Sequence, residues 1–160
     1  ELAEVFDYAV NNGYPIGWGS DVSEKGFSWK NAVAVVPDKN AEDLSDTEKE
    51  RWEKLTDKEK QKALYSFNEP GDEMKITPEL RQEAFNNYNT TDDHGMLIMG
   101  MAHDQKGNKY YMVKNSWGTD TENEYKGYFF ASEPFVLYKT IDIMVHKDAI
   151  PKHIRKKLNI

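Results

Sequence analysis

The chain reads as an α+β domain, an antiparallel sheet with helices gathered at one side. Three observations carry this reading. The opening residues repeat apolar side chains at helical spacing. Residues 39–90 hold helix-start signals but few apolar side chains. From residue 94 onward, short apolar runs alternate with turn residues. At 160 residues the chain has the length of one ordinary domain with a real core.

The elements follow in order. ELAEVFDYAVNNG places Leu2, Val5, Phe6, Ala9 and Val10 on one helical face, and Gly13 supplies a left-handed stop. PIGWGSDV reads as a short strand. Gly17 and Gly19 weaken it as a strand and fit a place where another backbone or a ligand comes close. KNAVAVVPD reads as a second short strand, ended by Pro37. Ser45 with Glu48, and Thr56 with Glu59, match the capping box. Thr77 before Pro78 matches an N-cap with proline at the first helical position. Helices are expected over about 45–54, 57–67 and 78–89, forming a solvated helical insertion over 39–90. GMLIMGMA and KYYMVKNSW then form a hairpin about Gly107 and Asn108, followed by strands in GYFFAS and TIDIMVH. The basic tail KDAIPKHIRKKLNI is expected on the surface.

The charged share of 31% is high and the net charge is −7. That balance argues against nucleic acid and against anionic membranes as partners. No apolar run approaches the ~20 residues of a membrane span. The chain opens on a helix, with neither Met nor an apolar leader, and is expected to begin inside a longer protein. It contains no cysteine, so disulfides, thiolate metal sites and thiol catalysis lie outside these residues.

Singly, the candidate functional residues are weak. Asp92, Asp93, His94, His103 and Asp104 fit no standard metal-ligand spacing, and no metal or cofactor is expected. The aromatic residues between 110 and 130 fit a core and a sheet face. Asn89-Thr90-Thr91 is a glycosylation sequon, which matters only in a secretory setting. Together, two residues say more. His94 starts an apolar strand, and the returning strand of the hairpin ends at Lys114-Asn115-Ser116-Trp117-Gly118. The return brings Asn115 back toward His94, where an amide oxygen can orient an imidazole. Trp117 can then lie over that bond and exclude water.

DDHGMLIMG followed by KNSWG resembles the signature of the papain-like cysteine peptidases. EVFDYAVNNGYPIGWGSDV resembles that family's helix, proline and cleft-wall strand. GWGSDVSEKGFS and the long helical insertion resemble the bleomycin hydrolase and aminopeptidase C branch in particular, with Ser20 at the Cys position of a WFGCDV-like stretch. In papain-like enzymes the His lies roughly 130–150 residues after the nucleophilic Cys. Only 93 residues precede His94, so the nucleophile is expected upstream of Glu1.

The resemblance implies that residues 1–160 form the C-terminal, sheet-rich half-barrel of a papain-like fold. It implies peptide substrates and a complementary half that carries the Cys. His94 would be the acid/base, Asn115 its orienter and Trp117 the shield. Gly17, Gly19, Asp93 and Gly95 would line the substrate cleft. It further implies aminopeptidase activity, a hexameric ring, a cytoplasmic setting and a C-terminus that enters the cleft. The basic tail here runs on further than the branch pattern. The chain alone is expected to be inactive and to self-associate through the face that the missing half would cover. A non-catalytic peptide-binding half domain and a pseudo-peptidase are the alternatives.

Overall fold

The computed structural model describes residues 1–38 and 45–160, without the side chains of residues 46–48. Helix α1 (Leu2–Asn11) buries Val5, Phe6 and Ala9, the face set by helical spacing. Gly13 closes it in the left-handed region at φ 77°. Strand β1 (Ile16–Ser20) alternates, with Ile16, Trp18 and Ser20 inward. Two short strands follow, β2 (Phe27–Ser28) and β3 (Val33–Ala34). The helical insertion holds α2 (Asp46–Glu53), α3 (Asp57–Leu64) and α4 (Pro78–Asn86). Thr56 and Glu59 form the expected capping box, and Thr77 accepts from the Leu80 N–H. The Ser45–Glu48 pairing and the insertion's start at 39 lie outside the described residues. Helix α3 buries nothing and α4 only Ala84, so these helices are held by caps more than by a core.

The hairpin is β4 (His94–His103) and β5 (Lys109–Lys114), turned through Gly107 at φ 85°. Then come β6 (Tyr128–Ser132), α5 (Glu133–Lys139), β7 (Thr140–Met144), a single 3-10 turn (Lys147–Ala149) and α6 (Lys152–Leu158). Among the described residues one curled seven-stranded sheet, a half-barrel, runs β2-β3-β6-β5-β4-β1-β7. Phe6, Trp18, Ile98, Tyr111, Val113, Phe129, Phe135 and Val136 fill its concave side. Each of these large side chains contributes about 1.5–3 kcal/mol by leaving water.

Two features depart from the sequence reading, and a third adds to it. The pairing of β3 with β6 is parallel, within an otherwise antiparallel sheet. Helix α5 was not expected in EPFVLYK, whose Phe135, Val136 and Tyr138 favour strands. Its start is nonetheless encoded: Ser132 accepts from the Phe135 N–H and Pro134 sits in the first turn. The basic tail is largely exposed, as expected, but it is also anchored. Ile154 of α6 packs with Val5 and Ile150 in a second small core.

Candidate active site

His94 is the first residue of β4, and Ser20, the last of β1, stands opposite it. Asn115 follows the last residue of β5, and its N–H donates to the Gly127 carbonyl at 2.9 Å. The hairpin return brings the two side chains together. His94 Nε2 lies 2.6 Å from Asn115 Oδ1. The same oxygen accepts from the Ser116 N–H at 2.7 Å. A backbone N–H can only donate, so the amide must present its oxygen here. The ring nitrogen facing that oxygen must then be the protonated one. This tautomer leaves the lone pair on Nδ1, for which no described residue supplies a hydrogen bond.

Trp117 covers the pair, its ring centroid 5.1 Å from the imidazole. It is braced edge-on by Trp29 at 5.2 Å and Phe27 at 5.7 Å. Asn115 is only 7% exposed, whereas Trp117 remains 44% exposed. The ring against the imidazole is thus itself partly open to solvent. Trp29 and Phe27 were not singled out from the sequence. The signal was present in GFSW, but no local period relates residues 27–29 to residue 117.

Asp93 is adjacent in the chain but otherwise engaged. It accepts from the Ser23 hydroxyl, from the Ser23 N–H at 3.2 Å and from Thr91 Oγ1 at 2.9 Å. These donors, the Ser23 hydroxyl first, hold its carboxyl down at about 2. Asp21 interacts with it and is pushed the other way, mainly by burial.

Gly17, Gly19 and Gly95 gather elsewhere. Gly19 pairs directly with Gly95, and Gly17 with Leu97. They alternate with the buried Trp18 and Met96 and so face away from the core. With Met99 and the 80%-exposed Met144 they form a low, partly apolar surface that reaches the rim beside His94. A cavity of about 770 Å³ lies at the other end of β4, against His103, Tyr110, Phe130 and Trp52. It does not touch the His94 site. Among the described residues no group of three or more metal-ligating side chains comes together.

His94 and Asn115 are thus joined by one short hydrogen bond between neighbouring strands, with the Trp117 ring against the imidazole. A sequence model of the Peptidase C1-like family matches residues 45–160. The chain belongs to the Peptidase C1-like family. Its sheet and helices superpose on PepW from Lactobacillus rhamnosis HN001 with a TM-score of 0.59 at 18% identity, over 99% of this chain and 29% of that one. Cathepsin L1 of Drosophila melanogaster is 56% identical over 27 residues, which cover 17% of this chain and 7% of the cathepsin. The chain thus spans less than a third of PepW and a small part of the cathepsin. Its fold is the sheet-bearing half of a papain-like peptidase.

Proposed function

We propose that this chain supplies the acid/base half of a cysteine peptidase, with His94 as proton carrier and Asn115 as its orienter. The observation that carries the reading is the 2.6 Å contact between Nε2 and Oδ1. It directs the unprotonated Nδ1 away from Asn115 and keeps it for an incoming group. In the whole protein a cysteine borne outside these residues passes its proton to Nδ1. The thiolate, stabilised by the imidazolium, attacks the scissile carbonyl. His94 then returns the proton to the leaving amine. Trp117 keeps water from the Nε2–H bond through both proton transfers. The outward strip of Gly17, Gly19 and Gly95 is the wall along which a peptide backbone lies, and Asp93 sits at its rim.

By resemblance of GWGSDV and the helical insertion, the substrate is a peptide with a free amino end. Helix α6 is docked beyond the far end of β7 from Thr140, the residue beside Ser20.

The test uses the full-length protein that includes these residues. It should release a fluorophore from an aminoacyl substrate and lose that activity on His94→Ala. The 160-residue chain alone should release none. A full-length wild-type protein that binds peptides without cleaving them would favour the binding-module reading instead.

A further inference from the structure

His94 is held unevenly. On the β1 side it is paired with Ser20. On the β5 side the ladder begins only at Leu97 and Lys114, three residues further along. Between His94 and Asn115, the side-chain contact stands in for a backbone ladder. The place where the chain enters β4 therefore decides where the imidazole sits.

That entry is tied to one buried cation. Lys139, the last residue of α5, is 2% exposed. Its ammonium donates to the Asn89 carbonyl at 2.7 Å, to the Glu24 carboxylate, and to Asp21 Oδ2 at 3.4 Å. Asp21 in turn accepts from the Thr91 N–H at 3.1 Å and the Ser23 N–H at 2.9 Å. Its own N–H donates to the Lys139 carbonyl at 3.1 Å. Asp93 completes the loop through Ser23 and Thr91. The Asn89 and Thr90 N–H groups are held by Asn87 and Ala84 of the preceding turn, while the Asn89 carbonyl, the Thr91 N–H and Asp93 lead back, directly or through Asp21 and Ser23, toward Lys139. Removing one member of a buried ion pair leaves the others desolvated and unpaired, so such a cluster has one preferred arrangement.

We propose that Lys139 is a positioning residue for His94: its buried ammonium joins Asp21, Glu24 and the Asn89 carbonyl, and so sets where His94 meets Asn115. This rests on the reading of His94 and Asn115 as the working pair. It adds a residue 45 positions away in sequence that touches neither.

The experiment labels the chain with ¹⁵N-histidine and follows the His94 Nε2 proton, whose exchange reports the bond to Asn115 independently of catalysis. In Lys139→Met the amide shifts of Ile98 and Val113 should stay native, while Nε2–H exchange quickens about tenfold or more. Should Lys139→Met fail to fold, Asp21→Asn carries the test. It keeps the side-chain shape and removes one of the two carboxylates facing Lys139, and it should quicken exchange by about threefold. A folded variant with exchange within twofold of wild type overturns the proposal. In the full-length peptidase, Lys139→Met should lower kcat by about 10–100-fold and leave KM within twofold. An equal loss in KM would mean general damage and would also overturn it. If the wild-type full-length protein cleaves no peptide, the peptidase reading fails, while the proton-exchange result still decides the role of Lys139.

Discussion

Gly19 and Gly95 stand directly opposite one another in the β1–β4 ladder, one step from the pair formed by Ser20 and His94. The surroundings of the two differ. A Cβ on Gly95 would meet nothing within 4 Å, whereas one on Gly19 would fall 2.6 Å from Asp142 Oδ1. Gly95→Ala should therefore change the unfolding free energy by less than about 1 kcal/mol. On the proposed cleft wall it should still raise KM about tenfold in the full-length protein, because a methyl group would stand in the path proposed for the substrate backbone. Gly19→Ala should destabilise by about 1 kcal/mol, and Asp142→Ala added to it should recover that loss. Chemical denaturation of the four proteins checks this. Equal stability losses at 19 and 95 would contradict it.

Asn115 accepts twice through Oδ1, while its buried Nδ2 has no hydrogen-bond partner. Asn115→Ala thus removes one acceptor that serves two donors and relieves one orphaned donor. The stability loss should be modest, about 1–2 kcal/mol. The loss in kcat should be far larger, on the order of 10²-fold, because the imidazole loses its fixed tautomer and rotation. Parallel denaturation and steady-state kinetics on the full-length protein separate the two effects. A fall in activity no larger than the stability change explains would remove Asn115 from the mechanism.

Trp117 gives the shielding idea its own test. Its ring lies against the imidazole and is propped by Trp29 and Phe27. Trp117→Ala should admit water to the Nε2–Oδ1 bond and also lose ring contacts worth about 0.5–1.5 kcal/mol each. Exchange of the His94 Nε2 proton should quicken about tenfold, with Trp117→Phe in between. If Trp117→Ala leaves that exchange at the wild-type rate, the ring is packing only and shields nothing.

What was legible in the sequence was local or periodic. The α1 face, the Thr56 and Thr77 caps and the hairpin about Gly107 each depend on residues a few positions apart. The His94–Asn115 pairing was legible for the same reason, since a tight hairpin converts 21 positions of sequence into one contact. What was missed depends on distant partners. The parallel pairing of β3 with β6 joins Val33 to Phe130, and nothing in either short segment names the other. Nothing in the sequence marks Lys139 among the charges of a highly charged chain. Its burial follows only from the meeting of residues 21, 24, 89 and 139. Ser20 shows the converse limit. Its position across from His94 invites comparison with a nucleophile, yet it is fully buried and donates to the Lys139 carbonyl at 3.1 Å.

Glu73 should make stability depend on pH in a direction unusual for a carboxylate. It accepts from the Val36 N–H at 2.7 Å and the Ser132 hydroxyl at 2.6 Å, both through Oε2. Burial nevertheless raises its pKa and outweighs those donors, with the Asp104 charge adding to the rise. A carboxyl that holds its proton more tightly folded than unfolded favours the folded state fully only below the unfolded value, about 4.3. That contribution is lost as pH rises from there through the raised folded value. Glu73→Gln keeps one oxygen to accept both bonds and removes the buried charge. It should gain on the order of 1 kcal/mol at pH 7, or about 2–4 °C in Tm for a chain of this size. The gain should shrink toward zero below about pH 4.3, where Glu73 is protonated in both states. Thermal unfolding of both proteins across that range decides it. A Glu73→Gln protein less stable than wild type at pH 7 would mean that the ionised carboxylate itself holds Val36 and Ser132 in place.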